Sequence, residues 1–174
     1  MANFAGVITD SVLNVVFPGR FAFVTPTNLA GDVAMSCLFY NKQKLTYVST
    51  ETLLVDVSDF DMYKLYYNDP NLSITHDTTF LYTIVNHTQS GSSSATRDSQ
   101  VRAYMQVLRA KFAYLPNLIN MGDFNTNNSP EAGYQSIISN ADSATMMGDP
   151  PFYPDQKIKY PADWTNNADL YSSS

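Results

Sequence analysis

Thr79-Phe-Leu-Tyr-Thr-Ile-Val-Asn86 is the stretch that decides the fold. Successive side chains on a strand point to opposite sides, so Phe80, Tyr82 and Ile84 share one face and Leu81 and Val85 the other. A strand that is apolar on both faces lies inside a sheet and is covered from both sides. Upstream, Asp59 to Tyr67 sets Phe60, Met62 and Tyr66 against polar neighbours and stops at Asn68-Asp69-Pro70. Its aromatics could form a sugar platform, although alternating aromatics in a strand more often serve as core. Leu45 to Leu54 reads as another strand, joined through the polar turn Asn41 to Lys44 to a hairpin partner, Ala34 to Tyr40. Phe21 to Val24 reads as a short strand after the turn signal Pro18-Gly19, which follows the apolar stretch Val12 to Phe17.

Downstream, Gln89 to Ala95 (QSGSSSA) has the composition of a flexible loop. Val101, Tyr104, Met105, Leu108, Phe112 and Leu115 then recur at spacings of three and four, which predicts an amphipathic helix. Arg97, Arg102, Arg109 and Lys111 fall off that stripe, Thr96 is placed to cap the helix and Pro116 to end it. Leu118 to Met121 reads as a short buried strand, Gly122-Asp-Phe-Asn125 leaves the sheet, and Pro130 to Ile138 reads as a second helix. Beyond Met147 the chain is rich in proline (Pro150, Pro151, Pro154, Pro161) and shows little periodicity. The order strand, strand, strand, strand, loop, helix, strand, helix predicts an α/β (α+β) fold, a mixed sheet with helices on its outer faces.

Composition narrows the function classes. A chain of 174 residues with 44% apolar side chains predicts one domain with a real core. Only 15% of its residues are charged, against about 25% in ordinary domains. Ser, Thr and Asn, 47 residues together, fill the gap. This excludes simple disorder, collagen and coiled coil. No apolar run approaches the ~18 residues of a membrane span. Cys37, the one cysteine, can form neither an internal disulfide nor a cysteine zinc site. A net charge of −6 and a pI near 4.6 argue against a broad basic face for nucleic acid. They do not exclude an enzyme that meets phosphate through a divalent cation. Low charge and richness in Thr, Asn and Tyr point to an exported protein. The start, MANFAGVITD, lacks the basic and apolar regions of a signal peptide, so the signal of an exported protein is not in this chain.

Two positions carry candidate chemistry, both at the ends of predicted strands. One is His87. The other is Asp123 with Asn125, which can present a carboxylate and an amide toward one point. Strand ends followed by loops are where α/β folds place ligands, and Gly122 lets the backbone turn or approach closely. The bland readings are a satisfied structural histidine and an ordinary Gly-Asp-x-Asn turn.

The order of these pieces resembles the endonuclease/exonuclease/phosphatase superfamily, the fold of DNase I and exonuclease III. The matching residues are Ile84-Val-Asn-His-Thr88 with Ser90-Gly91, then Arg97 to Gln100, then Asn120-Met-Gly-Asp-Phe-Asn125. Gly31-Asp32 ahead of Cys37-Leu-Phe-Tyr-Asn41 is similar to a segment of bacterial extracellular members. The resemblance implies a four-layer α/β/β/α sandwich and hydrolysis of phosphoesters with Mg²⁺ or Mn²⁺, or Ca²⁺, as the cation. It implies that Asp123 orients or deprotonates water and takes part in holding the metal. Asn125 would hold a phosphate oxygen, and Arg97 would also bind substrate. His87, with an unperturbed pKa of ~6.5, would contact phosphate or move a proton. Asp32 would sit near the metal. DNA is the first substrate on this reading, with RNA, a phosphoinositide or a phospholipid headgroup as others, in a protein secreted by a bacterium or held at its surface.

Two parts of the family pattern have no match. The metal-binding Glu of the first strand is missing, since Glu51 and Glu131 stand in other contexts, and so is a closing Ser-Asp-His. The expectation is one domain over 1–174, incomplete at both ends and weak or inactive alone, because groups acting as a unit are non-additive. The alternative from another class is a non-catalytic β-rich binding or structural module of an exported protein. The sequence leaves oligomeric state open.

Overall fold

The computed structural model describes residues 2–31, 36–128, 130–138 and 147. In chain order they form helix α1 (Ala2–Ile8), a π-helical turn (Thr9–Leu13), α2 (Asn14–Val16), β1 (Phe21–Phe23), β2 (Phe39–Asn41), β3 (Leu45–Val55) and β4 (Asp59–Tyr67). Then follow α3 (Leu72–Thr75), β5 (Phe80–His87), α4 (Ser94–Lys111), β6 (Leu118–Asp123) and α5 (Ala132–Ile138). The chain groups into two compact units, one of Met1–His87 with Pro116–Gly122, the other of Thr88–Leu115 with Asp123–Ser174.

The first unit is built on a sheet of strand order β3-β4-β5-β6. β3 and β4 form an antiparallel hairpin with register shifts at Tyr47/Ser49 and Thr52/Leu54, and β4 pairs antiparallel with β5 from Asp61↔Val85 to Tyr66↔Phe80. Tyr82 N–H donates to Asn117 O at 2.8 Å and Thr88 N–H to Asp123 O at 3.0 Å. The two bonds share one sequence offset, so β5 and β6 run parallel and need the long connection that contains α4. β5 therefore has a strand on either side, but its faces are unevenly covered: Ile84 is buried, Leu81, Tyr82 and Val85 are half-buried and Phe80 is exposed. β4 is interior too, and the more deeply covered: Phe60, Asp61, Met62 and Tyr63 are all buried in succession. Its aromatics are core, not a platform. Tyr63 and Leu65 pack with Val24 and Leu38, flanked by Tyr40, Leu45, Tyr47 and Val85. Each such burial stabilises by about 1.5–3 kcal/mol.

Two buried carboxylates open β4. Leu29 and Ala30 N–H donate to Asp59 at 2.6 and 2.8 Å, while the Thr27 and Thr52 hydroxyls donate to Asp61. Burial works against the Asp59 charge, but the nearby Thr27 hydroxyl dipole and the backbone bonds from Leu29 and Ala30 outweigh it and hold the carboxyl below its ordinary range. Asp61 and burial together push the Tyr63 hydroxyl up, burial contributing most. These contacts pin the 27–30 loop to the sheet.

The polar turn exists, with Lys44 N–H on Asn41 O at 3.0 Å, but it does not close a hairpin. β2 spends its ladder on β1, Phe21↔Asn41 through Phe23↔Phe39, and Lys42 N–H extends that pairing to Arg20 O at 2.9 Å. β3 turns instead to β4. Of the expected strand Ala34 to Tyr40, residues 32–35 lie outside the described residues, and only Phe39 and Tyr40 are strand. The Val12 to Phe17 stretch belongs to the π-helical turn, α2 and the residue after them. Asn14 anchors that segment by exchanging two bonds with the Phe21 backbone, at 2.8 and 3.1 Å.

In the second unit α4 buries Arg97, Gln100, Val101, Tyr104, Met105 and Leu108. Those spacings of three and four confirm the stripe and extend it one turn back to Arg97, which the sequence placed off it. α4 starts at Ser94, so Thr96 lies inside the helix, and the N-cap Ser93 makes no side-chain capping bond. It ends at Lys111, with Phe112 already extended. α5 comes close to α4 at Gly133, where a Cβ would lie 3.3 Å from Asp98 N. The proline-rich tail after Met147 lies outside the described residues. Among the described residues, no helix is long and apolar enough to cross a membrane.

Candidate functional site

β6 delivers the Gly-Asp-Phe-Asn motif to the end of the sheet. Gly122 has φ +141°, and a Cβ there would sit 1.9 Å from Asn86 O. Glycine is required by that approach, not by turn preference alone. Asn86 is buried and donates through Nδ2 to Asn120 Oδ1 at 2.8 Å and Met121 O at 3.3 Å, stitching β5 to β6 by side chain as well as backbone. Parallel neighbours are thereby fixed side by side.

Past Gly122 the chain folds into a local turn. Asp123 Oδ1 accepts the Asn125 N–H at 2.9 Å, and Asn125 adopts φ +46°, a conformation asparagine tolerates better than most residues. Thr88 braces the turn with three bonds. Its N–H donates to Asp123 O, its hydroxyl to Phe124 O, and its carbonyl accepts Asn125 Nδ2 at 2.9 Å. Asp123 is exposed, so a carboxylate is held at a strand end on a fixed backbone and open to solvent.

The structure thus brings Asp123 and Asn125 together, with Thr88 between them. His87 closes β5 in the first unit, half-buried, its carbonyl accepting the Ser58 hydroxyl at 2.8 Å. Asp32 lies outside the described residues. Arg97 is placed otherwise than as a substrate contact. It is 1% exposed, and its guanidinium grips Glu131 through Nε at 2.9 Å and Nη2 at 2.7 Å. Nη1 donates to Gln89 O at 3.2 Å and Gly91 O at 2.7 Å. A buried guanidinium spent on four acceptors is a brace and does not reach into solvent. Burial opposes the Glu131 charge, yet the bonds from Arg97 and Asn127 hold its carboxyl below the ordinary range.

Three participants escaped the sequence reading. Thr88 stood inside the quoted His87 motif, but a hydroxyl beside a histidine announces no partner. Glu131 was set aside as a metal ligand, and its actual partner lies 34 residues away. Asn127 gives no sign of a structural role in the sequence. Its backbone N–H and Nδ2 both donate to Glu131 Oε1 at 3.1 Å. The legible signal was that Glu131 is one of only two glutamates and immediately precedes a helix.

A hard cation takes several oxygen ligands. Among the described residues no three His, Cys, Asp or Glu side chains converge on one point. Magnesium, however, is commonly held by one or two carboxylates together with waters and a substrate phosphate, and the exposed Asp123 carboxylate fits that mode of binding.

No family model matches the chain, and no curated protein matches it. Solved structures do. The human Nocturnin catalytic domain, crystallised with a bound sulfate anion, superposes with a TM-score of 0.53 at 11% identity over 87% of this chain. An endonuclease/exonuclease/phosphatase family protein from Bacteroides thetaiotaomicron gives a TM-score of 0.47 at 12% identity, over 80% of this chain and 58% of its own. D. rerio TDP2 with a single-strand DNA product gives 0.46 at 13%, over 70% and 45%. The mixed α/β chain, with its four-stranded sheet and parallel β5–β6 pair, therefore has a DNase I-like fold, the fold of that superfamily. The chain spans 62% of the length of the Nocturnin catalytic domain.

Proposed function

We propose that this chain acts on phosphoesters, and within that class on phosphodiesters of nucleic acid, DNA first. The observation that carries the reading is the exposed Asp123 carboxylate, fixed by Thr88 and by the Asn125 amide at the end of β6 in a DNase I-like fold. The sulfate in the Nocturnin catalytic domain supports it, as a tetrahedral anion bound by a protein of like fold. In this reading Asp123 orients water and takes its proton, and the water oxygen bonds to phosphorus as the P–O bond to the leaving alkoxide breaks. Asn125 contacts a phosphate oxygen, and His87 supplies or takes a proton. A requirement for Mg²⁺ or Mn²⁺ is part of the proposal, and the Asp123 carboxylate would be one of its ligands. We further propose slow turnover for these 174 residues alone. They contain two histidines, and His76 sits exposed at the end of the short helix α3, so His87 works without an evident second imidazole. Export is the setting that the low charge supports, and a bacterial source rests on the resemblance of Gly31-Asp32 and Cys37 to Asn41.

Nicking of supercoiled plasmid and hydrolysis of bis(p-nitrophenyl) phosphate, each with Mg²⁺ or Mn²⁺, test the reading beside an EDTA control and Asp123→Ala. The expected result is slow, metal-dependent activity that falls at least a hundredfold in Asp123→Ala while its melting temperature holds. Equal rates in the wild type and Asp123→Ala would refute the assignment. A folded chain inert toward both substrates would favour the binding-module alternative.

A further inference from the structure

Arg97, Gln89, Thr88, Asn125, Asn127 and Glu131 form a closed ring of contacts within the second unit. Arg97 holds the 89–91 loop by two carbonyls and Glu131 by two nitrogens. Glu131 holds Asn127 by the backbone and the side chain. Two residues back along the chain, Asn125 donates to Thr88 O, and Thr88 leads directly into Gln89. Gln89 N–H is itself tied to the buried Gln100 Oε1 at 2.9 Å, which fixes that side of the ring to α4. The Asp123–Asn125 turn is thus held from both ends, by Thr88 before it and by Asn127 after it.

We propose that Arg97 and Glu131 are positioning residues for the Asp123–Asn125 turn, acting through Asn127 and the 89–91 loop. This rests on the reading of Asp123 and Asn125 as site residues. The energetic case is the burial of the pair, whose side chains are 2% and 8% exposed. A buried ion pair is weak evidence for stability, because desolvation cancels much of its attraction, and its best-attested use is to fix register. Here six hydrogen bonds from three segments meet on two side chains, so the pair fixes geometry at the one place where the chain presents a carboxylate at a strand end.

The test is residue-resolved amide exchange on the full chain, which requires no substrate and so stands apart from the activity assays. In the wild type the Asn125 and Asn127 amides, donors to Asp123 and Glu131, should exchange at least tenfold slower than an unstructured chain. Rates equal to an unstructured chain would overturn the proposal without any variant. In Glu131→Gln, exchange at both amides should rise about tenfold while Tyr104 to Leu108 in α4 stay unchanged. Arg97→Met with Glu131→Leu replaces the pair by apolar side chains of similar size, which buried pairs commonly tolerate. It should preserve the fold and release the same two amides. Faster exchange at Asn127 with Asn125 unmoved would show that the pair does not reach the turn. Uniform loosening of α4 and the turn together would assign the pair a purely structural role. Equal activity in wild type and Asp123→Ala with a protected wild-type ring would fail the site reading alone, and loss of activity in Asp123→Ala with an unprotected wild-type ring would fail the positioning reading alone.

Discussion

Substituting Gly122 by alanine puts the strand-end geometry to a direct test. An added Cβ would lie 1.9 Å from Asn86 O, 2.8 Å from Asn86 C and 2.9 Å from Asn86 N. All three atoms are backbone, so no side chain can swing aside. Restoring an ordinary carbon–oxygen separation of ~3.3 Å requires β5 and β6 to part by about 1.4 Å. That movement carries the Asn86 Nδ2–Asn120 Oδ1 bond from 2.8 Å beyond hydrogen-bonding range and strains the 3.3 Å bond to Met121 O. Two or three bonds weakened at about 0.5–1.5 kcal/mol each, with backbone strain of about 1–3 kcal/mol for a side chain at this φ, give a loss of roughly 2–7.5 kcal/mol. At about 2–4 °C per kcal/mol for a chain of this size, the melting temperature should fall by roughly 4–30 °C. Urea unfolding followed by far-UV circular dichroism reads the loss. Gly19→Ala is the control for φ alone, since Gly19 has φ +69° and nothing within 4 Å, and it should cost about 1–2 kcal/mol. Gly6→Ala, in α1 with open space around it, should stabilise by about 0.5–1 kcal/mol. A Gly122→Ala loss no larger than that of Gly19→Ala would refute the close approach.

Thr88→Val keeps the shape of the side chain but removes the donor to Phe124 O, and should lower stability by about 1–2 kcal/mol; an unchanged urea midpoint would deny the brace. Asp59 and Glu131 both have depressed carboxyl pKa values. Their contribution is therefore fully present above the ordinary carboxylate value of about 4, and it fades as pH falls through the lower folded values. The urea midpoint should hold between neutral and mildly acid pH and drop below about 4, with a shallower drop in Asp59→Asn; an acid limb of the same slope in that variant would contradict the assignment. Leu65→Ala, at 1% exposure, should cost about 2–5 kcal/mol, whereas Ile74→Ala, at 77% exposure, should stay within about 0.5 kcal/mol of the wild type. Comparable losses in the two would mean that the β4 core is misplaced.

The interior sheet was legible because its information is periodic. Phe80 to Val85 declares a strand apolar on both faces, and Val101 to Leu108 declares a helix, in side-chain order alone. The pairing of β2 was not legible, since a polar turn such as Asn41 to Lys44 states that the chain bends but not which ladder the bend leaves behind. Backbone bonds from Arg20 and Phe21 decide that, and they carry no side-chain signature. At the site, Asp123 and Asn125 could be located by type and position, while the job of Arg97 could not. Its charge argued for an outward role, and only a partner 34 residues on, Glu131, makes burial tolerable. Pairwise chemistry across such separations has no periodicity to read. The Gly122 requirement falls between these cases: glycine at a strand end suggests a close approach, but the atom approached, Asn86 O, belongs to another strand.

Arg97's grip on the 89–91 segment also bears on how the protein withstands cleavage. Ser90 through Thr96 are exposed, and their composition is what a protease with extended-loop preference attacks first. The carbonyls of Gln89 and Gly91 are nevertheless anchored to a buried side chain, and α4 begins at Ser94. A single cut between Ser92 and Ser93 would therefore leave both new ends tethered, one by the guanidinium and the other by the helix. Such a nicked molecule would migrate as two fragments in denaturing gels and as one species in native ones. The serine-rich segment is in this sense a place where the covalent chain is dispensable to the architecture it crosses.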